Sequence, residues 1–147
     1  MDNHIIIEQT SFEKARKEIK KNKGKKIIFS SNNDELNRKI LEKEKIDVLL
    51  LNLLNRKDYS KQRDSGFNHV LAKIAKKKGV IIGINLDEII NSKQKKEILA
   101  RIKQNIKLCN KNKIKMKFIS QKDKRDIYDL KALGLVLGMP TKMVKEL

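Results

Sequence analysis

Five short apolar runs, rich in β-branched residues, recur along the chain and are separated by longer polar segments. They cover residues 5–7, 26–29, 46–51, 80–84 and 114–119. Runs of this length, bounded by polar residues, are typical of buried strands in a parallel sheet. The pattern therefore predicts five strands.

The segments between these runs have the spacing of amphipathic helices, with apolar residues every three or four positions. Thr10 or Ser11 is suited to cap the first helix and Asp34 the second, while Gly24 and Gly79 are placed to end the first and third. Two short helices, at about 127–137 and 141–147, complete the prediction. The predicted core-facing stripes are Phe12, Ala15 and Ile19; Leu36, Ile40 and Leu41; Phe67, Val70, Leu71 and Ile74; and Ile98, Leu99, Ile102, Ile106 and Cys109.

Strand followed by helix, five times over, predicts an α/β fold with a parallel sheet and right-handed crossovers. No shift in composition marks a second domain, so residues 1–147 are expected to form one domain of 17.1 kDa. That length is too short for a complete eight-stranded (β/α) barrel, which needs about 200 residues or more. The long polar connection at 52–66 follows the third strand, at the carboxyl edge where α/β folds bind ligands.

Composition excludes several classes of protein. No apolar stretch is long enough to span a membrane, and the opening MDNHIIIEQT does not resemble a secretory signal. The single cysteine, Cys109, rules out a disulfide framework and is expected in the core, and the two histidines form no metal motif. We expect a protein of the reducing cytoplasm.

The net charge of the chain indicates the kind of partner it binds. Lys and Arg total 36 against 18 acidic residues, giving a net charge of +18 and a pI near 10.0. Such a charge is self-repulsive unless a polyanion neutralises it, which favours binding to nucleic-acid phosphates. Aromatic residues are few and fall mostly on apolar faces, so stacking on bases is not expected. Any single lysine run is equally well explained as solvated surface.

Two places in the sequence are candidates for anion binding. Arg56 and Lys57 follow the third strand, where Arg56 is suited either to grip a phosphate or to pair with Asp58 or Asp64 and pin the loop. His69 opens the third helix on the face of Lys73, where it either binds an anion or is simply exposed. Arg101 is one of few arginines, which suggests a need for its forked geometry.

The residues in several of these segments resemble a known family. DSGFNHVLAKIAKKKGVIIGINL at 64–86 is similar to the signature of the thirty-kilodalton protein subunit of ribonuclease P in its archaeal form, protein component 3. NRKD at 55–58, LARIKQNIKLC at 99–109 and DIYDLKALGLVLGM at 126–139 resemble further motifs of that family in the same order. The resemblance is colinear from about residue 27 to residue 139.

The resemblance implies a TIM-barrel-like fold related to metal-dependent phosphoesterases, and a non-catalytic role beside a catalytic RNA that removes the 5′ leader of precursor tRNA. It implies no cofactor or metal site in this chain, with Mg²⁺ serving the RNA-based enzyme. The implied partners are that RNA, precursor tRNA indirectly, and a smaller α/β protein subunit in a two-plus-two assembly. By motif, the candidate RNA-facing residues are Arg56, Lys57, His69, Lys73, Lys78, Arg101 and Arg125, with Asp64 and Asp129 as structural or orienting residues.

The chain departs from the family pattern in ways that alter the expected fold. The first two strand–helix units have no counterpart, so we expect a shortened, open crescent of about five strands whose exposed edge a partner covers. Extra residues at about 59–63 lengthen the loop before the third helix, and Tyr128 stands where the family commonly has a basic residue. Two alternatives stay open: a free-standing metal-dependent phosphoesterase or nuclease, and a generic structural RNA-binding protein.

Overall fold

A computed structural model of the protein describes residues 4–147 and contains five strands alternating with helices. The strands are β1 His4–Glu8, β2 Lys26–Ser31, β3 Val48–Leu51, β4 Ile81–Asn85 and β5 Met116–Ile119. The helices are α1 Phe12–Lys21, α2 Asp34–Lys43, α3 His69–Lys78, α4 Leu86–Asn91, α5 Lys95–Lys111, α6 Ile127–Val136 and α7 Thr141–Lys145.

All four strand pairings are parallel, and the spatial order β1-β2-β3-β4-β5 is the order along the chain. Each strand pairs with the next, with Ile5 beside Ile27 and Leu49 beside Ile82. This winding is that of a (β/α) barrel, and within the described residues the sheet stays unclosed, with β1 and β5 at its edges. The predicted fold, a shortened TIM-barrel-like α/β crescent of five strands, is confirmed.

The two faces of the sheet differ in what covers them. The face under the helices carries the main core, in which Phe29, Leu49 and Ile82 are fully buried. The opposite, inner face carries a small second cluster of Ile28, Val48 and Leu50. Strand alternation therefore supplies apolar residues to both faces, as in a barrel.

Asparagine and serine side chains set most helix starts. Ser11 caps α1 as predicted, but Asn33 rather than Asp34 caps α2, accepting hydrogen bonds from the backbone N–H groups of Glu35 and Leu36. Asn68 caps α3, which ends as predicted at Gly79 in the left-handed conformation. The C-cap of α1 is Asn22, not Gly24.

The predicted core stripes hold in part. Val70 is 49% exposed, because α3 begins only at His69 and turns Leu71, Ala72 and Ala75 toward the core. The short helix α4 was not predicted, although Asn85 caps it at a distance of 3.2 Å from the Glu88 N–H, in the spacing of a capping box. Among the described residues, no helix is long and apolar enough to cross a membrane.

Candidate nucleic-acid interface

Arg56 holds the β3–α3 loop, residues 52–68, onto the end of the sheet. Its Nε donates to the carbonyl oxygen of Asn52 at 2.7 Å, and its Nη atoms donate to both carboxylate oxygens of Asp34 at 2.8 and 2.9 Å. A further bond of 3.1 Å runs from Nη1 to Asp64. The side chain is only 9% exposed. Of the two alternatives for Arg56, the structure therefore places it in the loop-pinning one.

The surroundings of Arg56 favour the charged form of its guanidinium group. Burial alone would lower the pKa of Arg56, but the hydrogen bond and the charge of Asp34, followed by those of Asp64, raise it above its ordinary value. Asp64 also accepts from the Gly66 N–H at 3.3 Å, so the same carboxylate shapes the turn before α3. Arg56 thus remains a cation that is neutralised within the protein.

Arg101, in the second turn of α5, fills the underside of the same loop. Its side chain is 3% exposed and donates to the carbonyl oxygens of Leu53 and Arg56 at 2.7 and 2.8 Å. Its Nε donates to Asp58 at 3.2 Å. The guanidinium uses its forked geometry to donate to several acceptors at once, as predicted, but these acceptors lie inside the protein. Burial places the guanidinium of Arg101 among acceptors of the protein itself, and its contact with RNA stays a prediction.

Two acidic residues complete this framework. Glu88 accepts from the backbone N–H groups of Leu53 and Leu54 at 2.9 and 3.2 Å, and burial raises its pKa despite those bonds. Asp58 accepts from the Asp64 N–H at 2.9 Å. Desolvation opposes ionisation of Asp58, but the bonds from Arg101 and Asp64 and the charge of Arg63 leave its pKa below the usual range. The loop is therefore fastened to α2, α4 and α5 at once.

A row of amide side chains crosses the strand ends on the inner face. Asn85 donates to Asn52 at 3.1 Å, and Asn52 donates to Ser30 at 2.9 Å and to Asn32 at 3.2 Å. Ser30, Asn32 and Asn52 line a cavity of about 540 Å³ together with Glu8. The carboxyl edge is thus polar and hydrogen-bonded. Within residues 4–147, no three His, Cys, Asp or Glu side chains are grouped so as to hold a metal ion.

The chain belongs to a known family, as comparison with other proteins shows. The model of the family described as RNase P subunit p30 matches residues 20–147. The chain is a member of the RNase P subunit p30 family.

Similar curated proteins agree with this assignment. A ribonuclease P protein component 3 from Methanococcus maripaludis is 29% identical over 132 residues, which are 88% of this chain and 53% of that protein. The protein of the same name from Methanosarcina mazei is 32% identical over 108 residues, covering 72% of this chain and 41% of its own length. The chain therefore spans about half the length of the curated relatives it matches.

A solved structure shares the fold of this p30 family member. A chain in the cryo-EM structure of archaeal ribonuclease P with mature tRNA superposes with a TM-score of 0.80 and 27% identity. The match covers 97% of this chain and 64% of that one. The open sheet therefore has the same arrangement as part of a longer relative.

The remaining motif residues of this p30 chain do not form one cluster. Lys57, His69, Lys73 and Arg125 are exposed. Lys57 and His69 share the carboxyl edge with Arg125, because all three follow the ends of strands. Lys78 lies at the other end of α3, where its ammonium group donates to the Glu42 carbonyl oxygen at the end of α2. Their contacts with RNA stay a prediction.

The structure does not give Asp129 the orienting role assigned to it. Asp129 is exposed in the first turn of α6, and no ion pair or side-chain hydrogen bond of it occurs among the described residues. Within the described part of the chain, Arg125 donates only to the neighbouring Lys124 carbonyl oxygen, at 3.3 Å. The acid that orders this region is Asp87, which accepts from the N–H groups of Gln121 and Asp123 at 2.8 and 3.0 Å.

Sequence reasoning missed Asp34, which pairs with Arg56, and Asn105, which bonds to the β3–α3 loop. Asn105 is 2% exposed and donates to the Ser65 carbonyl oxygen at 3.2 Å. The sequence does indicate that two polar residues of α5 are buried. Arg101 and Asn105 continue the stripe of Ile98, Ile102 and Ile106 at helical spacing. Polar residues inside an apolar stripe mark buried hydrogen bonds.

Proposed function

We propose that this chain is a protein subunit of ribonuclease P that binds and stabilises the catalytic RNA for removal of the 5′ leader from precursor tRNA. The fold match to a chain of archaeal ribonuclease P, with a TM-score of 0.80, carries the proposal. The family membership of residues 20–147 and the net charge of +18 support it. The protein's contribution is electrostatic, because cations reduce repulsion between RNA segments that pack together.

In this proposal the chain is not itself the catalyst. Arg56 and Arg101 are bonded to carboxylates and backbone carbonyl oxygens of the chain itself, so they build the loop. The reaction and its Mg²⁺ belong to the RNA, and precursor tRNA is contacted indirectly through it. A cytoplasmic location follows from the reaction proposed.

The exposed stripe of α6 supports a protein partner. Tyr128, Leu135 and Val136 are 77%, 56% and 77% exposed and fall on one helical face with Ala132. Large apolar side chains grouped in this way mark interaction surfaces, and phosphates offer them nothing to pack against. We assign this stripe to the smaller α/β protein subunit, in a two-plus-two assembly.

Reconstitution tests the function. The catalytic RNA and the other protein subunits of the source organism are combined with and without this chain, and 5′-leader cleavage of precursor tRNA is followed. Addition of the chain is expected to raise cleavage at limiting Mg²⁺. An unchanged rate would contradict the proposal, as would leader cleavage by this chain without the RNA, which would favour the free-standing nuclease.

A further inference from the structure

The two edges of the sheet carry very different charge. The amino edge comprises the last turn of each helix that leads into a strand and the connection that follows: residues 18–26, 40–47, 75–80 and 108–115. It contains thirteen lysines and four acidic residues. The carboxyl edge comprises residues 9–15, 32–37, 52–72, 86–98 and 120–130, and contains eleven basic and eleven acidic residues.

Lysines and arginines also differ in what they bind. All six ion pairs among the described residues use arginine, and none uses lysine. All four acids of the amino edge already have other partners. Glu42 pairs with Arg38 at 2.8 Å and Glu44 with Arg16 at 3.0 Å. Asp47 accepts from the Ile27 N–H at 2.7 Å, and Glu18 bonds Gln9. The thirteen lysines, all exposed, are therefore not neutralised by ion pairs within the described chain.

The amino edge is a continuous surface. The Lys76 ammonium donates to the Lys113 carbonyl oxygen at 3.1 Å, and the Lys78 ammonium reaches the Glu42 carbonyl oxygen, so the ends of α2, α3 and α5 adjoin. A recess of about 590 Å³ opens between the α1–β2 and α2–β3 connections. Its charged lining consists of two acids, Glu44 and Asp47, and five lysines, Lys20, Lys23, Lys25, Lys26 and Lys45. Positive charge therefore extends across the edge.

Helix stabilisation explains only part of this charge. Lysines in a last helical turn interact favourably with the helix dipole, which accounts for Lys20 and Lys21 and their counterparts in α2, α3 and α5. Lys23, Lys25, Lys45 and Lys115 lie in the connections beyond the helices. Concentrated in one place, they add self-repulsion that a bound polyanion relieves.

The chemistry of this edge fits RNA phosphates better than a protein surface. The large exposed apolar side chains, such as Leu54, Val70 and Val136, all lie outside the amino edge, whereas protein interfaces have an apolar centre. The edge also contains no aromatic residue to stack on a base. Lysine is a point charge suited to phosphate contact without base reading.

We propose that the amino edge of the sheet is the main RNA-phosphate surface of this protein. The inference rests on the proposed function and deepens it, since it moves the RNA contact away from the motif-bearing carboxyl edge. Arg56 and Arg101 build the loop at the carboxyl edge, and lysines bind RNA at the amino edge.

The test compares two variants of equal charge. The amino-edge variant carries K23Q, K25Q, K45Q and K115Q, and the carboxyl-edge variant carries K61Q, K93Q, K95Q and K124Q. None of these eight lysine side chains has a hydrogen bond among the described residues. Binding to a labelled RNA duplex of about 20 base pairs is measured over a range of salt concentrations, and circular dichroism checks that both variants fold.

The amino-edge variant is expected to bind at least about tenfold more weakly than the carboxyl-edge variant, and its salt dependence to fall by about three counterions. Equal losses would mean that net charge alone governs binding and would overturn the proposal. A larger loss in the carboxyl-edge variant would place RNA at that edge and overturn it too. If either result occurs while the wild-type chain still raises leader cleavage, the proposed function stands and the surface assignment fails.

Discussion

The guanidinium of Arg56 lies so close to Gly66 that a side chain at Gly66 has no room. A β-carbon there would be 2.8 Å from Arg56 Cζ, and the residue adopts a φ of +68°. Glycine is therefore required at this position for both space and backbone conformation. This contact joins the start of the NRKD segment to the turn before α3, so the two motifs form one structural unit.

Gly66→Ala is expected to destabilise the protein more than an alanine substitution at another glycine that has the same backbone conformation. Gly79 is the matched control, since its φ is +69° and no atom of residues 4–147 lies within 4 Å of its β-carbon position. Gly79→Ala should cost about 1 kcal/mol for the left-handed conformation, and Gly66→Ala about 1–3 kcal/mol more from the steric clash. Urea unfolding gives both values. Equal losses would show that Arg56 moves aside freely.

Arg101→Lys should destabilise the protein although it keeps the charge. An ammonium group cannot reach the Leu53 and Arg56 carbonyl oxygens and Asp58 together, so buried acceptors lose their donors. We expect a loss of about 2–3 kcal/mol in the free energy of unfolding. Arg125→Lys, at an exposed arginine outside the ion pairs, is the control and should change it by less than about 0.5 kcal/mol. If Arg101→Lys left the free energy of unfolding unchanged, the structural role of Arg101 would be refuted.

Asp87→Asn should remove a pH-dependent contribution to stability. Desolvation opposes ionisation, but hydrogen bonds from the backbone N–H groups of Gln121, Asp123 and Lys122 leave the pKa of Asp87 below its ordinary 3.8. The unfolded chain therefore binds this proton more readily, so the stabilisation is present above about pH 3.8 and is lost as the pH falls through the folded pKa.

The difference in unfolding free energy between wild type and Asp87→Asn is the quantity to measure. It should be largest at neutral pH and shrink below pH 3.8. A difference independent of pH would contradict the hydrogen-bonded carboxylate. Hydrogen exchange at the Gln121 and Asp123 amides should also accelerate in the variant.

Cys109 should be unreactive in the native protein. The side chain is fully buried, and burial raises the pKa of its thiol to about 12, so almost no thiolate exists at pH 8. Labelling by a disulfide reagent is expected only at the rate at which the protein opens, and to become rapid in urea. Fast labelling without denaturant would mean that the end of α5 is loosely packed.

The strands were predictable because each is a short apolar run between polar segments. Ile27–Phe29 and Leu49–Leu51 lie in strands as expected, and the glycine after Lys78 ends α3. The open five-stranded crescent followed from the number of strand–helix units and from the family resemblance.

The pairing of Arg56 with Asp64 was one of the predicted alternatives. Most other acceptors of the arginines were not predictable from local pattern, because they are distant in sequence. Arg56 bonds to Asp34, 22 positions away, and Arg101 to Leu53, 48 positions away. Only the fold brings these groups together. Val70 shows the reverse error: its spacing fits the apolar stripe, but the helix starts too late to bury it.

Recovery of the tagged chain from its native extract at moderate salt, with sequencing of the co-purified RNA, tests whether this chain is a ribonuclease P subunit. We expect enrichment of one structured RNA, together with an activity that removes the 5′ leader of precursor tRNA and is lost when that RNA is digested. Recovery of only bulk ribosomal RNA or tRNA, falling steadily as salt rises, would contradict it and identify the protein as a generic RNA binder.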